Sequence, residues 1–363
     1  MKRAALPVVF ALSALLVACN KEEPKPAEPA PATNEAPAAA SGVTIDPARL
    51  GSFGPLPASY EVATSPSTEE KVTLGRMLYY ENRLSRSHEL SCNSCHMLEA
   101  YGVDNQPTSP GHKAQRGGRN SPTVYNAAGH IQQFWDGRAE DVEAQAKGPI
   151  LNPIEMAMKD EASVVATLKS MPEYEAAFKA AFPGEADPVS YDNMAKAIGA
   201  FERKLVTPAR WDKFLGGDQG ALTDAEKAGF NAFVDAGCLA CHTGALVGGG
   251  MYQKLGLVTP WPNATDVGRF EVTKNEADKG VFKVPSLRNV EKAAPYFHDG
   301  SVATLSEAIT LMGKHQLGKE LTPEQVTSIE TWLKTLTGEL PTAYIAKPTL
   351  PPSSEKTPKP DKT

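Results

Sequence analysis

Apolar residues recur at helical spacing in several stretches of this chain, and nowhere does strict alternation run far enough to predict a sheet. Ser67-Thr-Glu-Glu70 has the form of a capping box, and Leu74, Met77 and Leu78 follow it one helical face apart. Thr223-Asp-Ala-Glu226 is a second box, after which Phe230 and Phe233 lead to Cys238. A last helix starts at Thr322, with Pro323 in its first turn and Gln325 three residues on. Its stripe of Val326, Ile329, Trp332, Leu333 and Leu336 reads as core. Between these, Glu161–Ala181 and Tyr191–Leu205 read as helices. The expected fold class is all-α.

The ends read differently. Lys2 and Arg3 precede an apolar run from Ala4 to Ala18, the order of a secretory signal and too short for a membrane span. Leu16-Val17-Ala18-Cys19 resembles the lipobox of bacterial lipoproteins, which makes 1–19 a signal ending at a lipidated Cys19 and membrane attachment a matter of that anchor only. Residues 20–42, rich in Pro and Ala, carry too little apolar surface to repay ordering and read as a disordered tether. The Pro- and Lys-rich 347–363 reads as a disordered tail. A formal charge of -6 argues against a nucleic-acid partner.

Four of the five cysteines fall in two copies of one pattern, Cys92-Asn-Ser-Cys95-His96 and Cys238-Leu-Ala-Cys241-His242. Two thiols one helical turn apart add to the two vinyl groups of a porphyrin, and the next imidazole reaches its iron. Zinc would need a fourth ligand near each motif, and a histidine directly after the second cysteine is not zinc-knuckle spacing. Two covalent c-type haems are therefore expected, with His96 and His242 as proximal ligands. Such haem is attached outside the cytoplasm, which agrees with export. Pro208 and Gly216-Gly217 place a boundary between 43–207 and 208–346, one haem in each. The long irregular stretches 101–135 and 244–304 would enclose the haems. Spacing alone does not choose the sixth ligands among His88, His112, His130, His298, His315 and the methionines.

From about residue 65 to 345 the chain resembles the bacterial dihaem cytochrome c peroxidases. The resemblance rests on Leu90-Ser-Cys-Asn-Ser-Cys-His96, Gly111-His112, Arg119-Asn-Ser-Pro-Thr-Val-Tyr-Asn126, Gln133-Phe-Trp-Asp-Gly-Arg138, Gln145-Ala-Lys-Gly-Pro149, Asn152-Pro-Ile-Glu-Met156 and Pro295-Tyr-Phe-His-Asp-Gly300. It implies two cytochrome c-like domains with their haems facing the interdomain interface. It makes His112 the displaceable distal ligand of the N-terminal haem, Glu155 the catalytic acid–base and Gln145 a residue of the peroxide pocket. Met312, rather than Met251, becomes the axial ligand of the C-terminal haem, and Trp135 lies between the two haems. His298 bonds a haem propionate or backbone. A calcium ion would take the Asn120 side chain and backbone carbonyls near Ala293 and Pro295; Ala293 departs from the hydroxyl residue expected there.

The resemblance implies a periplasmic enzyme, a homodimer by family habit, that reduces hydrogen peroxide to water with electrons from a small cytochrome c or cupredoxin. The C-terminal haem would accept electrons and the N-terminal haem bind and cleave peroxide. Release of His112 by movement of the 101–120 loop is expected when the C-terminal haem is reduced, with Gly111 and Gly117-Gly118 accommodating it. Two rivals stand beside it. The related dihaem maturases, which oxidise tryptophans of a partner protein, carry Tyr where this chain has Met312. A simple dihaem electron carrier would leave Gln145 and Glu155 without a purpose.

Overall fold

A computed structural model describes residues 42–262 and 264–363. The signal at 1–19, Cys19 and all but the last residue of the expected tether lie outside the described residues.

Two helix pairs organise the chain. The Glu69–Tyr79 helix is capped by Thr68, whose side chain accepts from the Lys71 N–H, one position later than a Ser67 box implies. It buries Val72, Leu74 and Leu78 and packs against Tyr191–Glu202. Gly75 sits at the crossing, where a Cβ would lie 1.9 Å from the Ala197 carbonyl oxygen, so only glycine allows the backbones this close. In the second pair, Asp224–Ala236 and Pro323–Leu333 both begin with the expected capping boxes. Here Gly229 makes the close approach, with a Cβ position 2.1 Å from the Ser328 oxygen. Val326, Ile329, Trp332, Leu333 and Leu336 are all buried. Each such side chain stabilises the fold by roughly 1.5–3 kcal/mol.

Differences from the sequence reading are local. Glu161–Ala181 is two helices, Glu161–Lys169 and Pro172–Ala181, because proline pushes Met171 into extended backbone and opens the second helix at its first position. Tyr252–Lys254 and Val281–Lys283 form a small antiparallel pair, with Tyr252 opposite Lys283. Strands of three residues are too short for alternation to announce them.

The two cores differ in chemistry. The first is aliphatic and sulfur-rich, with Leu74, Leu78, Val164, Leu168, Met171, Met194 and Ile198. The second is a cluster of rings: Trp332 meets Trp211, Phe230 and Phe233 at centroid distances of 5.4, 5.3 and 4.5 Å.

The chain ends cross over. Ile45, Leu50 and Phe53 pack on the second core rather than the first, and Leu56 N–H donates to Asp212 at 2.7 Å. Leu340, Tyr344 and Leu350 pack near Tyr79, Tyr80 and Phe201 of the first half. Contacts accordingly make 42–363 one compact unit, and the first stretch of the expected 43–207 segment lies against the second core. The expected disordered tail is also corrected. Arg83 donates to the Pro351 carbonyl at 2.8 Å, Ser354 Oγ to the Ser170 carbonyl at 2.6 Å, and Asp361 N–H to the Arg86 carbonyl at 2.9 Å. Thr357 is buried. Composition counts apolar surface and misses this strap, because its partners are carbonyls and hydroxyls met across the fold.

Candidate functional site

Each Cys-x-x-Cys segment coils into a single helical turn, which brings its two thiols to one face. Cys92–Cys95 is α-helical, with Ser94 Oγ accepting from the Ser91 N–H at 3.0 Å; Cys238–Ala240 is a tighter turn after Gly237. All four thiols are free. Each following imidazole is held by one nitrogen only. His96 Nδ1 lies 2.9 Å from the Pro122 carbonyl, and His242 Nδ1 lies 3.2 Å from the Val247 carbonyl. An Nδ1–H so engaged leaves Nε2 for a metal, the usual arrangement of a ligating histidine. Burial favours the neutral, ligating form, lowering His96 and pushing His242 down to about 4. Tyr79 donates to the His96 carbonyl at 2.7 Å and fixes the turn.

Each motif opens on a cleft whose empty space, open solvent included, is about 1340 Å³ at Cys92 and about 1200 Å³ at Cys238. Paired thiols, a free Nε2 and a large cleft fit a covalently held haem in both places. Trp135 lines both cavities, and its indole N–H donates to the Asn120 carbonyl at 2.9 Å.

The first cavity is polar. Gln145, from the Val142–Leu151 helix, and Glu155, from the turn after it, both line it, together with Arg119, Arg138 and Glu202. Asn152 sets Glu155 in place: its Oδ1 accepts from the Ile154 N–H at 3.0 Å and its Nδ2 donates to Glu155 Oε1 at 2.7 Å. Burial raises the Glu155 pKa above the ordinary carboxylate value, opposed by Arg138 and by that amide. Arg138 lies over the Phe134 ring at 3.5 Å and bonds Asp136 at 3.1 Å.

His112 is not among the residues lining this cavity. Its backbone N–H reaches the Ile154 and Glu155 carbonyls at 2.9 and 2.7 Å, while the ring is buried with neither nitrogen hydrogen-bonded. Lys113 and Ala114 beside it both have left-handed backbone, φ 57° and 55°, unfavourable for side-chain-bearing residues.

The second cavity is apolar. Phe233, Val284, Leu287, Ile309, Ile329 and Leu333 wall it, and no carboxylate lines it. Met312 faces it from the first position of a π-helical turn, Met312–Gln316, that ends the Leu305–Leu311 helix. Met251 does not line it, nor does His315, whose Nδ1 meets the Thr259 and Pro260 carbonyls at 3.1 and 3.0 Å. His298 does, with Nδ1 unpartnered and Nε2 4.0 Å from Asp266.

Near the expected cation site, Asn120 Nδ2 donates to the Gln106 carbonyl at 2.9 Å, and Asn105 Nδ2 to Ala294 at 2.8 Å. No group of three or more His, Cys, Asp or Glu side chains gathers as a metal site among the described residues. The sequence reading overlooked Asn152, Arg138 and Glu202. The first two lie inside segments that carried the resemblance; Glu202 has no local signal, because only the helix crossing turns it inward. Its buried carboxyl is pushed up to about 8, chiefly by loss of water and then by Glu143.

Fold and cavities together define a helical protein with two c-type haem domains, one cavity polar and one apolar. The family model described as di-haem cytochrome c peroxidase matches residues 69–220. The cytochrome c551 peroxidase of Pseudomonas aeruginosa is 49% identical over 315 residues, covering 85% of this chain and 90% of the relative. That of Nitrosomonas europaea is 48% identical, covering 82% and 88%. Among solved structures, a MauG-like protein associated with microbial copper homeostasis superimposes with a TM-score of 0.70 at 30% identity, covering 84% of this chain and 97% of that one. The chain belongs to the di-haem cytochrome c peroxidase family.

Proposed function

We propose that this protein is a periplasmic cytochrome c peroxidase. It reduces hydrogen peroxide to two waters with two protons and two electrons, delivered singly by a small cytochrome c or cupredoxin. The observation that carries this reading is the pair Gln145 and Glu155 in one cavity, facing across Trp135 a second cavity that has Met312 and no carboxylate. Cysteines 92, 95, 238 and 241 hold the haems, with His96 and His242 as proximal ligands and Met312 as the distal ligand of the second. Haem supplies the iron that holds peroxide and passes on the electrons, and thioether ligation raises a haem's reduction potential.

The chain supplies proton transfer. Glu155 takes the proton from one peroxide oxygen and returns it to the other, which departs as water instead of hydroxide. A carboxyl raised by burial is better matched to both halves of that task near neutral pH than an exposed one. Asn152 holds Glu155 toward the cavity, and the Gln145 amide orients peroxide beside it. Trp135 bridges the two cavities.

The finer assignments are part of the same proposal. His112 is the displaceable distal ligand; its unpartnered ring and the left-handed pair Lys113 and Ala114 support a loop with a second arrangement. Asn120 and the carbonyls of Ala293 and Pro295 form a calcium site through oxygen. The haem domains divide near 207/208 with their terminal segments exchanged, the protein is a homodimer, and Cys19 carries a lipid anchor. Among the described residues no helix is long and apolar enough to cross a membrane.

The test is peroxide-dependent oxidation of a reduced small cytochrome c by oxidised and by half-reduced enzyme. Turnover only after half-reduction supports the peroxidase and a His112 gate; equal turnover supports the peroxidase without the gate. No turnover from either state, with both haems intact and several donors tried, contradicts the reading in favour of a carrier or maturase.

A further inference from the structure

Lys283 ends the short Val281–Lys283 strand and is only 7% exposed. Lysine is rarely buried without a counter-charge, because an ammonium that leaves water must recover its hydration elsewhere. Among the described residues Lys283 has no such partner. The one hydrogen bond its ammonium makes there is to His130 Nδ1 at 3.0 Å. Burial keeps that imidazole well below its ordinary pKa, hence neutral, and pushes the ammonium down to about 8. Two guanidinium groups nearby are already answered by carboxylates, Arg119 by Asp136 and Asp266 at 2.5 and 2.7 Å and Arg138 by Asp136, while Lys254, the other lysine lining this cavity, is exposed to solvent.

Lys283 lines the Cys238 cavity, whose walls hold no carboxylate. Its backbone N–H donates to the Trp135 carbonyl at 2.8 Å, which places it at the end of the cavity nearest the first haem site. Phe282, the preceding residue, stacks on His298 at 4.3 Å, and His298 faces the same space with an unpartnered buried nitrogen. A cation with no counter-charge and a buried imidazole nitrogen with no partner on one wall suit an anion from outside the protein. The group expected in that cavity brings two, its propionates.

We propose that Lys283 is the ion-pair anchor of a propionate of the C-terminal haem, with neutral His130 supporting the ammonium from behind. This deepens the cofactor reading and rests on a haem occupying that cavity. Charge balance gives the sign of its effect. Without the ammonium, the propionate charge is uncompensated and favours the ferric state, so the potential of that haem falls.

The experiment uses the full-length protein carrying both haems, with Lys283→Met and Lys283→Arg. Resonance Raman of the propionate bending modes and spectroelectrochemical titration are the readouts. In Lys283→Met one bending band is expected to shift and the midpoint potential of the C-terminal haem to fall, while Lys283→Arg stays near wild type. Unchanged band and potential in Lys283→Met overturn the proposal, as does an equal shift from Lys283→Arg, which keeps the positive charge. Should the Met variant fail to assemble, a crystal structure of the haem-loaded wild type decides the point. A propionate oxygen within about 4 Å of Nζ supports it, and a longer separation overturns it. Two haems per chain with a propionate indifferent to Lys283 defeat this inference alone; one haem per chain defeats the reading of the cavity.

Discussion

The two haem cavities are built from the same local parts and differ in what surrounds them. Both rest on a helix pair brought close by a glycine, Gly75 in one and Gly229 in the other. Both present two thiols from one turn and an imidazole anchored through Nδ1 to a backbone carbonyl. The Cys92 cavity then adds Gln145, Glu155, Arg138 and Glu202, while the Cys238 cavity adds mostly apolar side chains, Met312 and Lys283, and no carboxylate. Haem attachment is thus repeated, and in the proposed function the walls divide the work. Peroxide chemistry needs protons moved where bonds break, and electron storage needs an iron kept saturated in dry surroundings.

The comparison is broken most forcefully at Glu155. Glu155→Gln keeps the size and removes the proton carrier, so peroxidase turnover is expected to fall by about 10²–10⁴-fold, measured as donor oxidation at saturating peroxide. An unaltered rate would mean that the polar wall does not act as claimed. Substitution at the helix crossings comes next. Gly229→Val and Gly75→Val each force a side chain into a backbone carbonyl and should cost at least about 1–3 kcal/mol in denaturant unfolding. Each is expected to disturb first the visible spectrum of the haem whose half it belongs to.

Deleting 347–363 removes the strap held by Arg83, Ser170 and Arg86, and with it bonds each worth about 0.5–1.5 kcal/mol. The predicted consequence is faster hydrogen exchange in the Glu69–Tyr79 and Glu161–Lys169 helices, with Pro323–Leu333 unchanged. A pH dependence is expected at Glu202. Its folded pKa of about 8 lies above its ordinary 4.5, so the folded state holds a proton that the unfolded state has lost between those values. Wild-type stability should therefore decline as pH rises from about 4.5 to about 8, and Glu202→Gln should flatten the decline. Identical pH profiles for the two proteins would show that Glu202 titrates normally.

Much of this was readable from the sequence where a local rule governs. The boxes at Thr223 and Thr322 and the stripe from Val326 to Leu336 involve residues within a turn or two of one another, and they stand as read. The haem motifs are legible for the same reason. What escaped the sequence depends on distant partners. The tail is held by arginines about 270 positions earlier, Glu202 faces a cavity because two helices cross, and Asn152 matters only where its amide meets Glu155. The choice of Met312 over Met251 came from resemblance; Met312 lines the cavity from a π-turn that no spacing rule anticipates.

The division between the cavities is tested most directly by mixing reduced small cytochrome c with Glu155→Gln and with Met312→Ala in rapid kinetics, with and without peroxide. Glu155→Gln is expected still to receive an electron at the C-terminal haem at the wild-type rate and to fail only when peroxide must be consumed. Met312→Ala should fail already at receiving the electron. If instead both variants lose both steps alike, the two cavities do not divide the work.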